Sequence, residues 1–147
     1  MTEQELKAFV RVVTAYFLSV SGIAARPGIP YIKSERTQAY DYTGLIGISG
    51  SRRGGVYFTA RKELLAGFGR FVLPGDLDDE GLYDLVGEMT NTIAGNMREI
   101  FGSSFLISVP IVILGRIEDI GMRLKPPVFV IPLQWDGLDC HLAVGLE

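Results

Sequence analysis

Glu88 and Asn91 are the residues whose types and spacing best suit chemistry. They stand three apart in a segment of helical pattern and share a helix face with Asp84 and Gly95, with Gly87 close beside them. An asparagine is no ordinary acid or base, but its amide can orient a water, accepting one hydrogen and donating another. Glu88 can form an ion pair or bind a water. No lysine, histidine or cysteine sits on this face to act as a nucleophile. Such a face is half a site. It suits a protein that completes another's active site, where the partner supplies the reactive bond and the helix places the water. Positioning alone can supply large rate effects, as the water-orienting glutamine does in GTP hydrolysis.

The glycines on that face need a reason, because a glycine inside a helix costs about 1 kcal/mol relative to alanine. Gly87 and Gly95 either allow close packing against another element of the same fold or clear a surface for a foreign chain. Both explanations stand at this level.

Other chemistries are poorly served. Cys140 is the only cysteine and His141 the only histidine, so disulfide frameworks, thiolate clusters and two-histidine metal sites are excluded. The two are neighbours on an expected strand and should point to opposite faces. The glycine-rich stretch Gly47–Gly55 lacks the lysine and hydroxyl ending of a phosphate loop and reads as a hairpin, with Arg52 and Arg53 at a solvated tip. Net charge is −3 with scattered basic residues, which argues against a nucleic-acid binder. The apolar runs Ile111–Leu114 and Val128–Leu133 are far shorter than the roughly 20 residues of a membrane span. The acidic, polar Met1–Lys7 resembles neither a secretory signal nor a transit peptide, so a reducing, cytoplasmic setting is expected.

The elements that must position Glu88 and Asn91 follow from hydrophobic periodicity. Leu6, Phe9, Val10, Val13, Phe17 and Val20 mark a helix over Glu3–Val20, stopped at Gly22 and followed by a loop over Arg26–Pro30. Tyr42–Ser49 and Val56–Thr59 read as a hairpin, and Arg61–Phe68 as a short helix. A second long helix starts at Asp78 or Asp79, where Asp76, Asp78, Asp79 and Glu80 suit the helix dipole, and runs to Gly102. Its buried stripe is Leu82, Leu85, Val86, Met89, Ile93, Met97 and Ile100. Phe105–Leu114 is a strand broken at Pro110. Val128–Gln134 and Leu138–Leu146 are strands joined by a turn at Trp135-Asp136-Gly137. The expected fold is a single α+β domain over residues 1–147, with two long helices and a short helix packed on an antiparallel sheet.

With these residues in place, the sequence resembles the CheX branch of the CheC/CheX/FliY phosphatases of bacterial chemotaxis. The resemblance rests on Asp84-x-x-x-Glu88-x-x-Asn91, continuing as Thr92-Ile93-Ala94-Gly95-Asn96, and on the strand Leu106-Ile107-Ser108-Val109-Pro110-Ile111-Val112-Ile113-Leu114-Gly115. Gly47-Ile48-Ser49-Gly50 and Gly54-Gly55-Val56-Tyr57 resemble the family's preceding hairpin. The resemblance implies a pseudo-twofold, CheC-like fold and a phosphatase acting on the phospho-aspartate of a CheY-type response regulator. It implies that Asn91 holds the attacking water and that Glu88 contacts a lysine in the regulator's active site. Asp84, Gly87, Gly95 and Pro110 would belong to the partner-contacting surface. Magnesium would come with the regulator, leaving this chain with no cofactor or metal of its own. Aligning the first helix on the second places Val12 opposite Glu88 and Ala15 opposite Asn91, so one working helix per chain is implied. The resemblance also implies a homodimer joined through sheet edges, for which Val128–Gln134 and Leu138–Leu146 are apolar enough. Pro110 follows Asn91 at a shorter spacing than in CheC-type repeats, and Arg26–Thr37 has no clear family counterpart. The alternative to catalysis is a module that docks on a regulator or a flagellar-switch component without chemistry.

Overall fold

The computed structural model describes residues 1–33, 39–115, 124 and 127–147. The first helix, α1, spans Glu3–Ser21. Its start is a capping box: the Glu5 N–H donates to Thr2 Oγ1 at 3.1 Å and the Thr2 N–H donates to Glu5 Oε1 at 2.8 Å. It stops where Gly22 takes a left-handed conformation, φ 72°. Two short pairings, β1 (Arg26–Pro27) and β2 (Tyr31–Ile32), follow. Then come the hairpin β3 (Tyr42–Gly50) and β4 (Gly54–Ala60), α2 (Lys62–Val72) and α3 (Asp79–Asn96). A one-turn helix, α4 (Arg98–Phe101), precedes β5 (Phe105–Ile107), β6 (Ile111–Leu114), β7 (Phe129–Trp135) and β8 (Leu138–Leu146). Asp136 and Gly137, both at positive φ, make the tight turn between the last two strands.

The strands form one antiparallel sheet in the order β1-β7-β8-β4-β3-β5, with β2 also on β7 and β6 also on β3. Alternation along the strands separates its two faces. Val56, Phe58, Ile131, Leu133, Cys140, Leu142 and Val144 face the helices and join the main core. Leu45, Tyr57, Val130 and Ala143 face the other way with Leu124 and Val128. Cys140 and His141 point to opposite faces as their adjacency requires. Burial pushes the Cys140 thiol up and the His141 imidazole down to about 4, so both are neutral near pH 7. On the helix side, Phe17 contacts Phe68, Phe58 and Trp135 at ring distances of 5.2, 6.1 and 6.2 Å. The Trp135 indole donates to Ser21 Oγ at 3.0 Å and fastens the end of α1 to the last hairpin.

Four features differ from the sequence reading. The second long helix ends at Asn96, because the Met97 N–H turns to the Ala94 and Gly95 carbonyls. Ile100 therefore leaves the buried stripe and is 44% exposed. The expected loop at Arg26–Pro30 is partly paired: Arg26 and Pro27 lie beside Gln134 and Leu133, while Tyr31 and Ile32 lie beside Val130 and Phe129. Residues 34–37 of the Arg26–Thr37 segment lie outside the described residues. These pairings also correct the edge expectation. Strand β8 is interior, bonded to β7 and β4, and the outer side of β7 is covered in two places by β1 and β2. Finally, Arg52 is no freely solvated tip. Its guanidinium pairs with Glu5, its Nε donates to the Glu147 carbonyl at 2.8 Å, and it stacks over Phe101.

Candidate functional site

Helix α3 begins where Asp78 accepts from the Gly81 N–H at 2.8 Å, with Asp79 and Glu80 in the first turn. Leu82, Leu85, Val86, Met89, Ile93 and Ala94 bury its inner side. Thr90 is also buried there, and its hydroxyl donates to the Val86 carbonyl at 2.7 Å. Opposite it, Gly44 of β3 has no room for a side chain. A Cβ at that position would lie 2.1 Å from Thr90 Oγ1 and 3.0 Å from the Val86 carbonyl oxygen. The helix thus rests on the strand at backbone distance, and this contact fixes its height and rotation over the sheet.

The flanking strands hold it sideways. Strand β3 pairs with β6 through Tyr42–Leu45 and with β5 through Ile48–Gly50. Between the two pieces Ser108 bonds across the gap, its hydroxyl accepting from the Gly47 N–H at 2.8 Å and donating to the Val109 carbonyl at 3.1 Å. Pro110 cannot donate to a ladder, so the strand is broken there, and Val109 is thrown outward, 83% exposed. A Cβ on Gly87 would lie 3.2 Å from Val112 Cγ2 and 3.8 Å from Pro110 Cγ. One on Gly95 would lie 3.8 Å from Ile107 Cδ1. The first glycine therefore faces the β6 side of the break and the second the β5 side. Asn91, midway between them along the helix, stands level with the break itself.

The six residues singled out from the sequence accordingly divide. Asp84 and Glu88 are exposed, Asn91 and Gly95 are half-buried, and all four lie along the outer side of α3. Gly87 is buried beneath Pro110 and Val112 of the same chain, so close intramolecular packing accounts for it. Pro110 is half-buried and serves as that cover. Among the described residues, neither Glu88 nor Asn91 has a side-chain hydrogen bond or ion pair. Beside them, the half-buried Tyr16 of α1 has its hydroxyl pushed up to about 12, by burial first and by the Glu88 carboxylate second, so it remains a neutral donor.

Gly44, Thr90, Ser108 and Tyr16 were not picked out as site residues from the sequence. A glycine in mid-strand and a threonine inside an apolar helix stripe are faint local signals of a close crossing. Their pairing is visible only in three dimensions. No group of three or more His, Cys, Asp or Glu is placed to hold a metal among the described residues. No described helix is long and apolar enough to cross a membrane. A groove of 490 Å³ between the first half of α1 and Pro27–Pro30 contains none of the motif residues.

Comparison with known proteins bears on this arrangement. The family model for the chemotaxis phosphatase CheX matches residues 42–134, which include the motif helix and the broken strand. A chemotaxis protein CheX from Desulfovibrio desulfuricans is 29% identical, with a TM-score of 0.83 over 98% of this chain and 99% of its own. A putative chemotaxis protein from Desulfovibrio vulgaris Hildenborough is 27% identical, with a TM-score of 0.79 over 98% and 97%. The CheX of a CheX-CheY-BeF3-Mg complex from Borrelia burgdorferi shares the fold at 18% identity, with a TM-score of 0.74 over 97% of each chain. No curated protein matches the chain in sequence.

Proposed function

The chain belongs to the family of the chemotaxis phosphatase CheX, and from that membership we propose that it hydrolyses the phospho-aspartate of a CheY-type response regulator with Asn91 and Glu88 of α3. In this reading α3 enters the regulator's active site. The Asn91 carbonyl accepts a hydrogen bond from a water and holds it in line with the phosphorus. The water oxygen forms the new bond to phosphorus, and the bond from phosphorus to the aspartate oxygen breaks. Its electron pair stays on the aspartate carboxylate, and inorganic phosphate leaves with the water's protons. Glu88 pairs with the regulator's active-site lysine and sets the register. Magnesium sits in the regulator and neutralises phosphoryl charge. Asp84 and Gly95 contact the regulator at the edges of the face.

The observation that carries this reading is the state of the two side chains. Both stand on the outer side of a helix clamped from below by Gly44 and Thr90, and neither makes a side-chain hydrogen bond or ion pair to a described residue of its own chain. A rigid base with free polar tips is what positioning catalysis needs. The complex of the Borrelia relative with CheY lends support for the partner. The test is decay of a CheY-type regulator charged with acetyl phosphate. Asn91→Ala should lower kcat by about a hundredfold or more, as loss of positioning implies, while Glu88→Ala should chiefly raise KM. Parental decay with both variants would rule the reading out. Binding of the regulator with no change in its phosphate lifetime would leave a docking module instead.

A further inference from the structure

Between α1 and α3 runs a groove of 390 Å³, with Val12, Ala15 and Tyr16 on the α1 wall and Thr92, Asn96 and Glu99 on the wall of α3 and α4. Glu88, Thr92 and Asn96 are spaced four apart, so the groove's polar wall is the direct continuation of the line that begins at Glu88. From Glu88 to Asn96 that line is about 12 Å long at 1.5 Å per residue. The exposed Glu99 carboxylate lines the groove, Glu88 stands one helical turn before Thr92, and no lysine or arginine is among the lining residues. Arg98, adjacent in sequence, is turned away: its Nε donates to the Phe105 carbonyl at 2.9 Å, so it does not neutralise the groove. On the opposite wall Ala15 and Val12 present only methyl groups, beside the hydroxyl-bearing Tyr16 and Ser19.

We propose that this groove is the specificity-determining subsite for the regulator, taking the surface segment next to the regulator's active-site lysine. That segment would place a small apolar side chain against Val12 and Ala15 and a second lysine or arginine at Glu99. The inference rests on the reading of α3 as the regulator-facing helix. Two features of the groove select this occupant. It is continuous with Glu88, so whatever engages Glu88 must lie over its mouth. Its Glu99 carboxylate favours a partner surface with a second cation, spaced along the helix from the one at Glu88. On this view α1 adds recognition to the helix that carries the chemistry.

The experiment uses the full chain, with Ala15→Arg to fill the groove and reverse its charge preference and Glu99→Lys to reverse one end. Ala15 and Glu99 are exposed, so both variants should fold, which a thermal melt checks. Each should raise KM for the phosphorylated regulator by about tenfold, as loss of one interface anchor does, with a smaller change in kcat. Asn91→Ala should show the reverse split. Unchanged KM in both groove variants would overturn the subsite even if Asn91→Ala behaves as proposed. Were the parent chain to show no phosphatase activity, binding to the regulator loaded with beryllium fluoride still decides. Weakened binding with Ala15→Arg supports the groove, and equal binding or none by the parent overturns it.

Discussion

The two long helices lie on the same face of the sheet but are held in different ways. Helix α1 rests on large side chains: Phe9, Val13 and Phe17 are fully buried, and Phe17 reaches Phe58, Phe68 and Trp135. Helix α3 also buries large side chains, Leu82, Leu85, Val86, Met89 and Ile93, but adds a backbone-close crossing, with Thr90 against Gly44 and Gly87 beneath Val112. An aromatic layer contributes much burial energy and can absorb small shifts by rotating rings. A backbone-close crossing contributes less area but leaves little freedom in height or rotation. Buried large side chains supply stability under both helices, and the close crossing assigns accuracy of placement to the helix that carries Glu88 and Asn91.

Substitutions beneath either helix separate the two contributions. The largest expected effect is on α1. Phe17→Ala should cost about 3–5 kcal/mol, the usual range for a fully buried phenylalanine, read by urea denaturation. The fraction that remains folded should keep its kcat, since α1 does not set the water. Next comes Gly44→Ala beneath α3. Its Cβ would meet Thr90 Oγ1 at 2.1 Å, so the helix must lift. A loss of about 1–3 kcal/mol is expected for overpacking, accompanied by a fall in kcat greater than that of Phe17→Ala. If Gly44→Ala weakened stability and left kcat intact, the accuracy assigned to this crossing would be wrong. The smallest effects are at the two glycines of α3. Gly95→Ala meets Ile107 Cδ1 at an ordinary 3.8 Å and should stabilise by up to about 1 kcal/mol through helix propensity. Gly87→Ala meets Val112 Cγ2 at 3.2 Å and should show less of that gain. A drop in activity with Gly95→Ala despite higher stability would identify Gly95 as clearance for the partner, a role that Gly87 under Pro110 cannot share.

Much of this architecture is legible locally. The apolar spacing from Leu6 to Val20 marks α1, the acidic cluster at Asp78 the start of α3, and Asp136-Gly137 the last hairpin, because periodicity, helix starts and tight turns depend on nearby residues. The shared face of Glu88 and Asn91 follows from helical geometry alone. What escapes the sequence is contact between distant segments. Gly87 reads as part of a polar face because it lacks a side chain to say otherwise, and only the course of β6 shows that it is covered. The same holds for β8, whose apolar pattern suits an edge or a centre equally until β4 and β7 are seen on either side of it. Arg52 reads as a loop-tip cation because Glu5, Phe101 and Glu147, which surround it, are all distant from it in sequence. The CheX family match extends over residues 42–134, so it covers the motif helix but not α1. The role given to α1 accordingly rests on the groove geometry.

The most direct measurement is the single-turnover decay of a phosphorylated CheY-type regulator saturated with the Asn91→Ala chain. Saturation removes any effect on docking and leaves only the placement of the water. The regulator's phosphate lifetime should return close to the value it has alone, although the complex still forms. Retention of the parental rate in that complex would contradict the assignment of the water to Asn91, and with it the claim that α3 is the catalytic helix.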